Sequence, residues 1–213
     1  MSINIYQIHI KTDKMDEIKD FLVNWLEDKY GYQPELQLNQ DSFFPFFENE
    51  VPTHFALSVL YEDWISILHD SYDQLIDLTS RLSATFNTLV INAIGQSTVD
   101  TYNLNIFQDG DLIRKIDCGE GYLGIEQYGE PLPFEKSPIG RKSVLEDEDS
   151  DFFDNKDMQE YCLHFNIDIL IDPSVKDGSW KVIKIQKEPE LTRPPHKLSF
   201  INKILLHDKK KRN

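Results

Sequence analysis

Cysteine and long apolar runs are both scarce in this chain. Its two cysteines, Cys118 and Cys162, lie 44 positions apart, so neither a disulfide framework nor a zinc-knuckle spacing is available. No window reaches the roughly 20 apolar residues that a membrane-spanning helix needs, and no basic start precedes an apolar core of signal-peptide length. We therefore expect a cytoplasmic protein that does not engage a membrane.

Positive charge is also scarce. The chain carries 22 Lys and Arg against 37 Asp and Glu, a formal net charge of −15. Four of those bases form the tail Lys209–Arg212, so the first 208 residues hold 18 bases against 37 acids. Nucleic acids are polyanions that proteins bind through Lys and Arg, and a protein with a net negative charge repels them. We expect no nucleic-acid partner.

Bulky apolar residues are plentiful by contrast. Nine Tyr, thirteen Phe and three Trp supply the surface of a packed core, which excludes a wholly disordered chain. A chain of this length can form one domain or two small ones. We predict a single α+β domain over residues 1–187 with an acidic, irregular insertion at about 119–154. A proline-containing basic tail follows at 188–213.

Periodicity predicts a strand and then a helix at the start of the chain. Residues 3–10 read as a strand, although the apolar face switches between Ile5 and Ile8. Three- and four-residue apolar spacing follows, with Asp13 suited to the N-cap and Gly31 to the C-cap of a helix.

The next elements are two β-rich runs, 55–61 and 64–68. The intervening Glu62-Asp63 permits either a hairpin or one long strand with a bulge. The sequence from Ser71 to Gln74 has the pattern of a capping box, which predicts a second helix, and a strand follows at 88–94. This order is that of a split βαβ or ferredoxin-like unit.

A hairpin is predicted at residues 101–117, and its loop can be two or three residues long. A two-residue Asp109-Gly110 turn would place Leu104 opposite Lys115, whereas a three-residue loop pairs Ile106 with Leu112. The pattern favours the longer loop.

The predicted fold class is therefore α+β. We expect an antiparallel sheet whose ferredoxin-like N-terminal unit is extended by the hairpin, with its helices on one face. A short helix from residue 155 and a strand over 180–185 are expected to complete it.

Motifs that would indicate chemistry are incomplete. The run 119–124 matches G-x-G-x-x-G, but no helix pattern follows it and Glu120 and Glu126 would repel phosphate. The carboxylates at 147–151 resemble the start of a calcium loop, yet Phe152 replaces its glycine and Met158 its glutamate. The six histidines never reach metal-ligand spacing. We predict no cofactor, metal or catalytic residue.

The aromatic segment 43–47 supports an alternative. Four phenylalanines surround Pro45. The segment is too apolar for a solvent-exposed loop without a function, and its proline argues against a central strand. The segment can be a lid packed on the core or can cover a small-molecule site. An enzyme with an unrecognised site here is the alternative function.

The acidic insertion supports the main hypothesis. Between residues 119 and 160 the chain has twelve acids and four bases. The candidate partner-binding residues are Glu120, Glu126, Glu130, Asp147, Glu148, Asp149 and Asp151, with Phe152 and Phe153 as apolar anchors. The acidic charge can alternatively belong to a solvated loop without a partner. The two phenylalanines can alternatively be packed in the core.

Two parts of the chain carry a family resemblance. They are Glu62–Ile67 followed by Arg81-Leu82-Ser83, and Phe107–Asp111 leading to Gly129–Glu135. Together, over about residues 55–135, they resemble bacterial immunity-type proteins encoded near polymorphic or contact-dependent toxins. The resemblance implies neutralisation of a cognate toxin by binding, without catalytic residues.

Charge and resemblance together give one functional hypothesis. We expect a protein-binding module whose acidic face docks on a basic partner, such as a toxin nuclease with a phosphate-attracting groove. Its oligomeric state is not specified by the sequence.

Overall fold

The computed structural model describes residues 4–31, 34–38, 50–119, 125–135, 141–142, 151–171 and 180–185. Its helices are α1 Met15–Tyr30, α2 Ile76–Phe86 and α3 Asn155–Leu163. The strands along the first half of the chain are β1 Asn4–Lys11, β2 Glu35–Leu38, β3 His54–Tyr61, β4 Trp64–His69, β5 Leu89–Gln96 and β6 Thr101–Gln108. The later strands are β7 Asp111–Cys118, β8 Ile125–Tyr128, β9 Arg141–Lys142, β10 Asp151–Phe152 and β11 Lys181–Lys184.

Nine strands form one sheet in the order β2-β11-β3-β4-β1-β5-β6-β7-β8, and all neighbours are antiparallel. β9 and β10 form a separate two-stranded ribbon. The predicted α+β class with an antiparallel sheet is confirmed. The predicted hairpin extends the sheet beyond β5.

Both faces of the sheet are covered. α1 and α2 pack with Ile8 and Ile10 on one face, while α3 and the residues around it pack with Ile5 on the other. The switch of the apolar face along β1 therefore reflects a strand that is buried on both sides. The prediction that the helices lie on one face holds for α1 and α2 and is wrong for α3.

The ends of the helices agree only in part with those predicted from the sequence. α1 ends as predicted at Gly31, whose φ of 74° suits glycine and whose N–H donates to the Glu27 carbonyl. Its start is at Met15 after Lys14, without a side-chain cap, so the assignment of Asp13 as N-cap is wrong. None of the three helices in the described ranges is both long and apolar enough to cross a bilayer.

The predicted capping box before α2 is wrong. α2 begins at Ile76 after Leu75, whose backbone is left-handed with φ 49°, and no side chain caps the helix. The Ser71 hydroxyl instead donates to the Glu50 carbonyl at 2.6 Å and accepts from the Asp73 N–H at 3.1 Å. Tertiary contacts have replaced the local cap.

The predicted first hairpin is confirmed, and the alternative of one long strand is wrong. β3 and β4 are joined by the two-residue turn Glu62-Asp63, with Asp63 at φ 64°. The register also shifts between Ser58 and Tyr61, which marks a bulge in the same hairpin.

The predicted loop of the second hairpin is wrong. Gln108 pairs with Asp111, so Asp109 and Gly110 form a two-residue turn, and both have positive φ. A register shift beyond Phe107 then pairs Leu104 with Ile116. The bulge thus restores the apolar pairing that an unbroken two-residue register would lose.

Candidate partner-binding face

The described members of the predicted acidic set lie at one edge of the sheet. Glu126 is on β8, Glu130 follows it, and both are exposed. Outside the described residues are Glu120, Asp147, Glu148 and Asp149, together with the aromatic segment 43–47 and the tail 188–213. For Asp151 and Phe152 only the backbone, in β10, is described.

Phe153 is part of the core. Its side chain is 0% exposed and lies in the cluster beneath α3, where its ring meets Tyr161 edge-on. A side chain without exposed surface offers no contact to a partner in this conformation. Of the two interpretations of Phe153, its burial supports core packing.

β8 places alternate side chains on opposite faces. Asp117 pairs with Glu126 and Lys115 with Tyr128, which puts Glu126 and Tyr128 on the side of α2. Gln127 points to the α3 side, where its carbonyl oxygen accepts from the Arg114 guanidinium at 2.6 Å. Tyr128 is 59% exposed. An exposed aromatic ring and an exposed carboxylate therefore share one side of β8.

The residues that lead into α2 lie beside the same edge. Gln74 donates to the Asp117 carboxylate at 3.4 Å, which fixes this segment over β7. Tyr72 and Ile76 on either side of it are exposed, as is Asp73. We name the resulting surface the acidic edge face, formed by Tyr72, Asp73, Ile76, Glu126, Tyr128 and Glu130.

The charge of this face is not neutralised locally. Lys115 lies next to it but binds Asp117 at 2.6 Å, and the Asp117 side chain is fully buried. The cation therefore compensates an internal carboxylate. Across the described part of the chain, Glu126 and Glu130 form no ion pair. The face presents exposed carboxylates beside exposed apolar groups.

The floor beneath the acidic edge face is polar and incompletely bonded. Asn92 and Asn105 pair directly across β5 and β6 and are fully buried. Asn92 Nδ2 donates to the Gln74 carbonyl, and Asn103 donates to Asp117 at 3.0 Å. Among the described residues, Asn92 Oδ1 and both amide atoms of Asn105 find no hydrogen-bond partner. Buried amides of this kind normally bond to protein or water.

A complete polar network anchors the other side of β8. Arg114 and Glu135 are each 1% exposed and form a two-pronged ion pair with both N···O distances at 2.7 Å. Arg114 also donates to the Tyr128 carbonyl at 3.0 Å. Burial opposes ionisation of Glu135, but the bonds from Arg114 and the Leu132 N–H outweigh it and lower the carboxyl pKa.

This network explains part of the segment 129–135. Gly129 has φ 85°, and a Cβ there would lie 2.0 Å from the Ile113 carbonyl oxygen. Only glycine fits that approach. The turn delivers Glu135 to Arg114, so Gly129 and Glu135 both have structural roles.

Other candidate reactive groups are enclosed. Ser66 Oγ and His9 Nδ1 are 3.0 Å apart, but both residues are 0% exposed, which closes this pair to a substrate. Burial raises the pKa of the Cys118 thiol, and that of Cys162 to about 12, so both are poor nucleophiles. Among the described residues no group of three His, Cys, Asp or Glu is placed to hold a metal.

A further pair, His54 and Asp70, ties two segments together. The Asp70 carboxylate accepts from the backbone N–H groups of Thr53 and His54 at 2.8 and 3.0 Å, and from the Thr53 hydroxyl at 2.6 Å. Burial raises the Asp70 pKa, but bonds from His54 and Thr53 outweigh it and hold the pKa below its ordinary value. These hydrogen bonds hold the Asp70 carboxylate in place at the start of β3.

Sequence reasoning missed the aromatic part of the acidic edge face. No sequence signal marked Tyr72 and Tyr128 as exposed, because exposure depends on which strand is last in the sheet and on where α2 begins. Comparisons of the chain with protein-family models, curated proteins and solved structures find no match.

Proposed function

We propose that this chain is a cytoplasmic binding protein that neutralises a basic partner, in the manner of a bacterial immunity protein acting on its cognate toxin. The observation that carries the proposal is the acidic edge face, where Glu126 and Glu130 flank the 59%-exposed Tyr128. Exposed carboxylates steer a basic partner during encounter, and exposed aromatic rings supply contact energy once it docks.

The fold supports a binding role in a second way. β8 is held to the rest of the molecule by the buried ion pair of Arg114 and Glu135, so the edge is presented by a fixed scaffold. Preorganised surfaces lose less conformational entropy on binding. The net charge of −15 adds a long-range attraction for a basic surface.

The order β3-β4-β1-β5, with α1 and α2 on one face, supports assignment of a ferredoxin-like unit. A fold alone does not specify activity, so the functional proposal depends on the acidic edge face.

The test is capture of the partner by the full chain and by charge-reversed variants. The gene encoded beside this one is co-expressed with the tagged chain, and the fraction of its product retained is measured at low and high salt. Glu126→Lys/Glu130→Lys is expected to reduce retention at least about tenfold at low salt, because two attractive charges become repulsive. Protection of cells from the neighbouring gene product is expected to fall in parallel.

The matched control is Asp28→Lys/Glu62→Lys, which changes the net charge equally at exposed positions on α1 and in the β3–β4 turn. This control is expected to retain partner capture. Equal losses in both variants would reduce the proposal to non-specific electrostatics, and a neighbouring gene product that neither binds nor harms cells would overturn it.

A further inference from the structure

β8 has a free edge. It is the last strand of the sheet and pairs only with β7 in the described part of the chain. In an antiparallel ladder alternate residues turn their N–H and C=O groups to opposite sides, so part of the β8 backbone points away from β7. Residues 126–130 are exposed along this edge.

We propose that β8 is a docking strand, to which a basic strand of the partner adds antiparallel as a tenth strand. This inference rests on the proposed function and specifies how the acidic edge face engages its partner. Strand addition draws affinity from backbone hydrogen bonds and specificity from the alternate side chains.

The side chains of β8 define the sequence that fits. Glu126 and Tyr128 are two residues apart on the α2 side of the strand. A strand paired with β8 presents its own side chains on that side at the same two-residue interval. The partner's strand therefore carries Lys or Arg opposite Glu126 and an apolar residue opposite Tyr128.

A second copy of this chain is a poor occupant. Pairing β8 with β8 would bring the Glu126 side chains of both copies to one seam, where like charges destabilise pairing. Charged residues on natural edge strands act against self-association in this way. The same carboxylates attract a basic strand, so charge selects a different molecule as the partner.

The opposite edge of the sheet lacks this selectivity. β2 is the other terminal strand, and its Glu35 lies 3.9 Å from the Lys184 ammonium of β11. An internal cation thus partly neutralises the carboxylate on that edge. Among the described residues, β8 is the edge whose exposed carboxylates form no ion pair, because Lys115 beside it binds the buried Asp117.

The test uses the full chain labelled with ¹⁵N and two synthetic peptides at millimolar concentration. Both peptides alternate threonine and valine and carry phenylalanine two residues from a charged position, which is lysine in one peptide and glutamate in the other. Amide exchange and chemical shifts are measured for each residue. We expect the lysine peptide to slow exchange at the outward amides of β8, with no equivalent effect on β2.

A charge swap distinguishes strand addition from general attraction. Glu126→Lys is expected to weaken binding of the lysine peptide and strengthen that of the glutamate peptide, each by about two- to fivefold, the effect of one cross-strand charge pair. Glu62→Lys, on the β3–β4 turn, is the matched control and should leave both affinities unchanged. Thermal unfolding verifies that each variant is folded.

The two proposals fail in different ways. If the lysine peptide protects β2, protects no strand, or binds Glu126→Lys as well as the native chain, docking on β8 is overturned whatever the whole partner does. If the peptides behave as expected but the neighbouring gene product neither binds the chain nor harms cells, the proposed function is overturned instead.

Discussion

The Arg114 cluster and the pair of Asn92 and Asn105 bury polar groups in opposite ways. On the α3 face the Arg114 guanidinium is bonded to Glu135, Gln127 and the backbone of the β8 turn. On the α2 face three amide atoms of Asn92 and Asn105 are buried without a partner. A completed network stabilises the fold, whereas unpaired buried atoms lower its stability.

This difference separates the scaffold from the proposed binding surface. The completed network lies on the side of β8 that faces away from α2. The unpaired amides lie under the acidic edge face, close to Gln74 and the start of α2. Binding regions are commonly drawn from the less stable parts of a protein. Three stability measurements test this contrast, beginning with the largest expected effect.

Arg114→Met is expected to lower the free energy of unfolding by about 3–5 kcal/mol, because Glu135 is left as an unpaired buried charge. Urea unfolding at neutral pH measures the loss. Arg81→Met is the matched control: the exposed Arg81 lies 3.9 Å from Asp77, and such surface pairs contribute at most about 1 kcal/mol. Similar losses in the two variants would contradict a special role for the Arg114 network.

His69 is expected to make stability depend on pH. Burial lowers its pKa from 6.5 to about 4. Between these values the unfolded chain binds a proton that the folded chain does not, so this contribution to stability is lost as the pH falls from 6.5 to 4. The expected loss is roughly 2–3 kcal/mol.

His69→Asn tests this assignment. The amide oxygen of the introduced side chain can replace Nδ1 as acceptor of the Ser71 N–H, which lies 3.4 Å from the native ring, without titrating. Urea unfolding at pH 7 and pH 4 should show a smaller pH-dependent loss in the variant than in the native chain. Equal losses would place the pH dependence on other groups.

Asn105→Leu is expected to raise the free energy of unfolding by about 1 kcal/mol, because a similar-sized apolar side chain replaces two unpaired amide atoms. Asn103→Leu is the matched control, since it removes a donor from the buried Asp117 and should destabilise the fold. Both are measured by urea unfolding. A loss in Asn105→Leu as large as that in Asn103→Leu would contradict the view that Asn105 is unsatisfied.

The sequence predicted best those elements that local signals define. Gly31 ends α1 as expected, and the helix from residue 155 spans Asn155–Leu163. The strand expected at 180–185 is present as β11. Apolar spacing and capping residues indicate such elements from only a few neighbouring residues of sequence.

The predictions that failed depended on contacts between distant residues. The hydroxyl of Ser71 bonds to Glu50, and the carbonyl of Gln74 binds Asn92, so the local cap is not used. The hairpin register was wrong by two residues, and a two-residue shift leaves every side chain on the same face. Apolar alternation therefore cannot distinguish those registers.

The candidate site was predictable in its charge but not in its shape. Glu126 and Glu130 are exposed as a binding role requires, whereas Phe153 is in the core. Composition gives the number of acidic residues in a segment. Which strand lies at the edge of the sheet is decided only when all the strands have paired.

The position of β1 has a consequence for assembly. It is the earliest described strand along the chain and the fifth of nine in the sheet, bonded to β4 and β5. Its hydrogen-bonding partners are therefore synthesised roughly fifty to ninety residues after it, and such distant pairings slow folding. During translation β1 remains without its sheet neighbours until β4 and β5 have been synthesised.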